Sequence, residues 1–231
     1  LPSIGADIEQ CYSAFQALAD GPLQEQEYDA LGVRAVEVQC TPSQFLTTKA
    51  ESVDSVDDLE GLKLRAGGSV VELTLENAGA IPIKMGAPDI YLAVERGTLD
   101  GAIFAASSSL GYNLQEVVNG VAKNISFGSN AGVMFMNEAK FQSLPEDLQD
   151  LILEVGREVG HDIAVEYNKG SEEALAKLTE AGVNVYDLSD DVLEVIKDAQ
   201  AQVAEKWVTQ MNDRGLPGDE ILAEAKKAAG L

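Results

Sequence analysis

Two rhythms of hydrophobic and polar positions run along the chain, one of period 3.6 and one of period 2, and their order sets the expected fold. Leu62 and Leu64 alternate with Lys63 and Arg65 as a short strand, which Gly67-Gly68 ends at once. Val70, Leu73, Thr74 and Asn77 then share one helical face, closed by Gly79. Ile81, Ile83 and Met85 alternate with Lys84 as a second strand. Residues 88–95 read as a helix stopped by Gly97, and residues 99–104 as an apolar strand. This β-α-β-α-β succession with short connections predicts a parallel sheet flanked by helices. The carboxyl ends of its strands should gather at one edge.

Around this centre the pattern is more helical. Residues 4–18 carry Ile8, Cys11, Tyr12, Phe15 and Leu18 on one helical face, and Asp20-Gly21-Pro22 ends the run. A second helix through residues 28–31 is capped by Gly32, and residues 33–38 follow as a β-branched strand. Residues 43–55 read as a polar connection, leading to a Ser55-x-x-Asp58 capping pattern. A helix over 110–117 and strands over 121–127 and 132–136 come next. Ser143-Leu144-Pro145-Glu146 reads as a capping box with proline in the first turn. From there Leu148, Leu151, Ile152, Val155, Val159, Ile163 and Tyr167 keep helical spacing towards Gly182. Unbroken, that helix spans about 39 residues and roughly 58 Å, with Gly160 and Gly170 as the places for a bend. A strand over 183–186 and helices over 189–211 and 219–229 complete the chain. The opening helix–helix–strand supplies no sheet to pack on, so amino-terminal strand–helix units are expected to be missing from this sequence.

Charge narrows the function. The 231 residues carry 39 acids against 16 bases, a net charge of −23. No Lys/Arg cluster offers a basic face, which argues against nucleic acid and against an anionic membrane surface. Cys11 and Cys40 show neither CxxC nor metal spacing. Two buried free thiols are expected, a disulfide being the alternative in an oxidising compartment. With a single histidine, His161, neither a zinc site nor a Ser-His-Asp relay is supported. No nucleophile elbow, Walker loop or dinucleotide fingerprint is present. No catalytic residue, metal or cofactor is therefore assigned.

The candidate that remains is Arg65. It stands at the carboxyl end of a strand beside two glycines, the edge where open α/β sheets bind ligands. Its planar fork matches a carboxylate or phosphate bidentately. In a chain this acidic, any anion must be held by a few local cations. Most arginines only form surface ion pairs, and Phe45 and Phe104 can be read as plain core. The functional alternative makes those two rings an apolar wall opposite Arg65.

The segment Asp57-Asp58-Leu59-Glu60-Gly61-Leu62-Lys63-Leu64-Arg65 resembles a recurrent stretch of solute-binding proteins of tripartite ATP-independent periplasmic (TRAP) transporters, of the DctP type. Residues 77–82, 89–101, 116–117 and 143–149 agree in order and spacing, and the resemblance is best from about residue 20 to 180. It implies an α/β, type II periplasmic-binding-protein fold, with two lobes, a hinge and a long lobe-spanning helix. Residues 1–42 and 130–170 would form what remains of lobe I, and residues 43–129 and 171–231 lobe II. It further implies a monomeric periplasmic receptor, its signal peptide removed, that closes on a small organic anion and delivers it to the TRAP membrane subunits.

Carried over by position, Arg65 falls on the carboxylate-clamping arginine and Phe104 on a specificity position. Ser129 and Asn130 fall on a crossover strand that gives polar contacts in some members. Some members use a second arginine near residues 44–48. This chain has Gln44 and Phe45 there, which disfavours a dicarboxylate and favours a monocarboxylate with an apolar or aromatic body. The effector domain of a LysR-type regulator, which shares the type II fold, is the alternative. An enzyme on the same fold ranks third.

Overall fold

A computed structural model describes residues 7–231. In chain order the elements are α1 (Ile8–Asp20), a π-helical turn (Gln24–Tyr28) running into α2 (Asp29–Leu31), β1 (Val33–Cys40), β2 (Gln44–Thr48), α3 (Val56–Leu59), β3 (Lys63–Ala66) and α4 (Ser69–Asn77). They continue with β4 (Ile81–Lys84), α5 (Ile90–Glu95), β5 (Gly101–Ala105), α6 (Ala106–Gly111), β6 (Gly120–Ala122), β7 (Ala131–Asn137) and α7 (Glu138–Gln142). The last elements are α8 (Glu146–Glu180), β8 (Asn184–Tyr186), α9 (Asp190–Asp213) and α10 (Gly218–Ala228). The chain divides into two compact units. The first holds Pro42–Phe127 and Gly170–Thr209, and the second holds the described residues up to Thr41 with Gly128–Lys169 and Gln210–Leu231. Residues 4–6 of the expected first helix lie outside the described residues.

The first unit is built on a six-stranded sheet in the order β4-β3-β5-β2-β6-β8. β3 runs parallel to both β4 and β5, as the β-α-β-α-β pattern predicts. β2 enters antiparallel between β5 and β6, and β6 is parallel to β8, so the sheet is mixed. One face packs Leu46, Leu64, Leu75, Ile103, Val192 and Ile196. The other packs Phe45, Ile90, Leu99, Phe104, Leu114 and Leu178.

β2 corrects the polar connection expected there. All five of its residues are buried, Thr47 and Thr48 at 1% exposure, and the Thr48 hydroxyl donates to the Ala50 carbonyl at 2.9 Å. A central strand covered on both faces shows no apolar–polar alternation to read. The helix expected over 110–117 is interrupted, because Asn113 takes the left-handed conformation (φ 57°) after α6 has ended. The strand expected over 121–127 shortens to β6. Ser55 and Asp58 do form the reciprocal capping box at α3.

In the second unit β1 and β7 pair antiparallel, with an irregularity between Ala35 and Glu37. Ile8, Tyr12, Tyr28, Val38, Cys40 and Ala164 form its core. Cys11 on α1 and Cys40 at the end of β1 are joined by a disulfide, which corrects the free thiols expected from the sequence. Their 29-residue separation carried no spacing signal; the packing of α1 on β1 brings them together. Residues 210–231 group with this unit, where α10 packs on α1.

α8 is a continuous helix of 35 residues, about 52 Å at the standard rise. Gly160 is no bend. A Cβ at Gly156 would collide with the Val36 carbonyl, and one at Gly160 with the Val38 carbonyl and the Tyr12 ring. The glycines are what let the helix lie against β1. Of the apolar positions of the sequence pattern, Leu148, Leu151, Val155 and Val159 are exposed and Ile152 and Ile163 are half-buried. The capping box expected at Ser143 is replaced as well: Ser143 closes α7, its hydroxyl donating to the Lys140 carbonyl at 2.7 Å.

Candidate functional site

β3 fixes Arg65 by simple alternation. Leu64 and Ala66 point into one core layer at 0% and 3% exposure, so Arg65 must leave by the other face. Across the ladder it stands beside Ile83 of β4 and Ala102 of β5. Because these strands are parallel, the position lies near their common carboxyl edge.

The guanidinium is held in place by backbone. Its Nε–H donates to the Met85 carbonyl at 3.2 Å and Nη1 to the Ile103 carbonyl at 3.3 Å. Its Cζ lies 5.2 Å from the centroid of the Phe104 ring, within cation–π range. Phe104 in turn stands 5.8 Å from Tyr112, the two rings tilted by 60°. Phe45 is directly opposite Phe104 across the β2–β5 ladder, and both rings are buried at 8% exposure. Below the fork lies Gly67, where an added Cβ would stand 2.8 Å from Nη1.

The electrostatics are one-sided. Burial lowers the Arg65 pKa from the ordinary guanidinium value, with Tyr112 opposing the shift. None of the ion pairs found among the described residues involves Arg65. Arg34 shows the contrary arrangement. Its Nε and Nη2 meet the Glu138 carboxylate at 3.0 and 2.9 Å, and the paired hydrogen bond raises Arg34 while lowering Glu138. One arginine already has its carboxylate. The other is partly dehydrated, oriented by two carbonyls, backed by an aromatic face, and in no ion pair among the described residues.

Of the residues singled out from sequence, Arg65, Phe104 and Phe45 are brought together on one face of the first unit. Gln44 begins the same strand as Phe45 but lies on the opposite face by alternation, and its carbonyl accepts from the Phe127 amide at 2.9 Å. Ser129 and Asn130 belong to the second unit, where the Asn130 amide donates to the Thr41 hydroxyl at 2.9 Å. The His161 side chain is 57% exposed.

Sequence reasoning did not find the carbonyls of Met85 and Ile103, nor Tyr112. Backbone acceptors carry no residue signature, and Tyr112 reaches Phe104 only because α6 folds back after β5. Among the described residues no group of metal-ligating side chains is present, and no helix is long and apolar enough to cross a membrane.

The model of one protein family, bacterial extracellular solute-binding protein, family 7 (DctP), matches residues 8–210. A solute-binding protein of Albidiferax ferrireducens is 28% identical over 167 residues, 70% of this chain and 48% of its own. The chain spans about half the length of that relative. Two solved structures agree in fold over the whole chain. One is a marine-metagenome TRAP solute-binding protein specific for aromatic acid ligands, in complex with metahydroxyphenylacetate. It has a TM-score of 0.84 at 24% identity, with 100% of this chain and 73% of that one covered. The other is a TRAP solute-binding protein of Rhodoferax ferrireducens in complex with copurified benzoate. Its TM-score is 0.81 at 24% identity, with 100% and 72% covered.

Proposed function

Because the chain belongs to the bacterial extracellular solute-binding proteins, family 7, we propose that it is a periplasmic receptor that captures a small aromatic monocarboxylate through Arg65 and passes it to the membrane permease of a TRAP transporter. The family is one of solute-binding proteins rather than enzymes, which sets aside the catalytic and regulatory alternatives. The Cys11–Cys40 disulfide is in keeping with an oxidising compartment outside the cytoplasm.

The single observation that carries the ligand class is the partly dehydrated Arg65 fork on the face of Phe104, in no ion pair among the described residues. With Nε committed to Met85 and one Nη1 proton to Ile103, the remaining Nη1 proton and Nη2 form the end of the fork left for a carboxylate. The two carbonyls keep the fork oriented before the ligand arrives, so little side-chain entropy is lost on binding. Phe104, Phe45 and Tyr112 supply apolar area next to the charge, which suits an aromatic body joined to one acid group. The aromatic-acid ligands of the two structural neighbours support the same class.

Isothermal titration of the 231-residue chain with benzoate and 3-hydroxyphenylacetate tests the reading. Arg65→Ala is expected to weaken binding by roughly 2–5 kcal/mol, since the ligand carboxylate is left desolvated and unpaired. Arg65→Lys should bind poorly too, because an ammonium point charge cannot reproduce the fork. Wild-type affinity in Arg65→Ala would remove Arg65 from the site.

A further inference from the structure

We propose that Gly67 is a positioning residue for the Arg65 clamp: the absence of a side chain at 67 is what seats the guanidinium. The inference rests on the reading of Arg65 as the carboxylate ligand.

The geometry is specific to this glycine. A Cβ built at Gly67 would have as its three nearest neighbours Nη1, Cζ and Nη2 of Arg65, at 2.8, 3.2 and 3.3 Å. Chain neighbours aside, no other described residue comes as near. The guanidinium thus occupies the volume that any side chain at 67 would claim. Gly67 is not among the glycines with positive φ, so its backbone is open to alanine without strain. Gly68, one residue on, has nothing within 4 Å of its virtual Cβ.

What happens on adding a methyl group follows from which side can yield. The atoms it meets are the far end of a long, flexible side chain rather than backbone, so Arg65 moves and the fold does not. Rotation of the fork away from residue 67 breaks the Nη1 bond to the Ile103 carbonyl and lifts Cζ off Phe104. The protein keeps its stability and loses the prearranged fork. Alanine at 67 therefore separates orientation of the charge from the presence of the charge.

Gly67→Ala, Arg65→Ala, the double variant and a Gly68→Ala control are titrated with benzoate and 3-hydroxyphenylacetate, and their melting temperatures are measured. Gly67→Ala is expected to bind at least about tenfold more weakly, the loss of one charge-assisted hydrogen bond and its geometry. Its melting temperature should be unchanged or higher, because alanine narrows the unfolded ensemble. In the Arg65→Ala background the same change should leave affinity as it is, and Gly68→Ala should bind as wild type. A second readout needs no ligand. The Arg65 Nε–H resonance, identified by its loss in Arg65→Ala, should be displaced and exchange-broadened in Gly67→Ala as the bond to Met85 loosens.

Wild-type affinity and an unchanged Nε–H signal in Gly67→Ala would overturn the proposal, as would an equal affinity loss with and without Arg65. If Arg65→Ala itself binds normally, the clamp reading fails. The resonance then still decides whether Gly67 seats the side chain.

Discussion

Glu37 shows how a single residue can work against the fold that holds it. It lies on β1 at the irregularity of the β1–β7 ladder, and its Oε1 is buried with no hydrogen-bond partner among the described residues. Burial raises its carboxyl pKa above the ordinary value. A raised folded-state pKa means that the folded chain holds the proton more tightly than the unfolded chain does. The protonated form is accommodated at low pH, and stability is lost as pH rises from the ordinary glutamate value through the raised one. Glu37→Gln removes the charge at nearly constant shape. Its melting temperature should exceed wild type at pH 7, and the difference should vanish near pH 4; an equal gain at both would exclude ionisation as the cause. The residue scale is also where the sequence says least. Arg65 was legible because strand alternation and the following Gly67-Gly68 fixed its place. Nothing in residue order tells that Nε and Nη1 will be spent on the carbonyls of Met85 and Ile103, or that Tyr112 will come to lie against Phe104. Those depend on how three strands and α6 stack in space.

At the scale of elements, the part of α8 in the second unit inverts the ordinary reading of a helix. There Leu148, Leu151, Val155 and Val159 are exposed while Gly156, Gly160 and Ala164 are buried; further along, Ala174 and Leu178 are buried in the core of the first unit. Helical periodicity locates the helix correctly but cannot tell which face approaches a neighbour, because glycine contributes nothing to a hydrophobic pattern. The same blindness hid β2, whose Gln44, Thr47 and Thr48 read as polar although the whole strand is buried between β5 and β6. The parallel β4-β3-β5 core was legible because each strand is short, alternating or apolar in pattern, and preceded by glycine. The glycines of α8 allow a paired test. Replacing a helical glycine by alanine normally gains about 0.5–1 kcal/mol, and Gly170, with nothing within 4 Å of its virtual Cβ, should show that gain. At Gly156 the Cβ meets the backbone of Val36, which cannot swing aside, so Gly156→Ala should lose stability instead. Urea unfolding of the two variants measures the signs. Equal gains would mean that α8 does not depend on close approach to β1.

The whole molecule sets the field in which the proposed Arg65 clamp would work, and here the charge of −23 makes a prediction that no local contact makes. An anion approaching this chain is repelled at long range by the 39 acids and attracted at short range by a few cations. The two contributions respond differently to salt. Screening shortens the reach of the repulsion from about 30 Å at 0.01 M to about 8 Å at 0.15 M ionic strength. The proposed carboxylate contact at Arg65 would be short and, because Arg65 is partly buried, screened much less. Raising ionic strength should therefore speed the association of benzoate. This is the reverse of the slowing seen when a ligand is steered to a site of opposite charge. The same screening relieves self-repulsion within the folded chain, so the melting temperature should rise over the same range. Stopped-flow binding between 0.01 and 0.15 M salt tests this, with fluoride and chloride compared so that occupation of Arg65 by the added anion is recognised. A rate that falls with both salts would mean that the field at the site is positive despite the net charge. In that case cations besides Arg65 would have to be counted into the capture of the ligand.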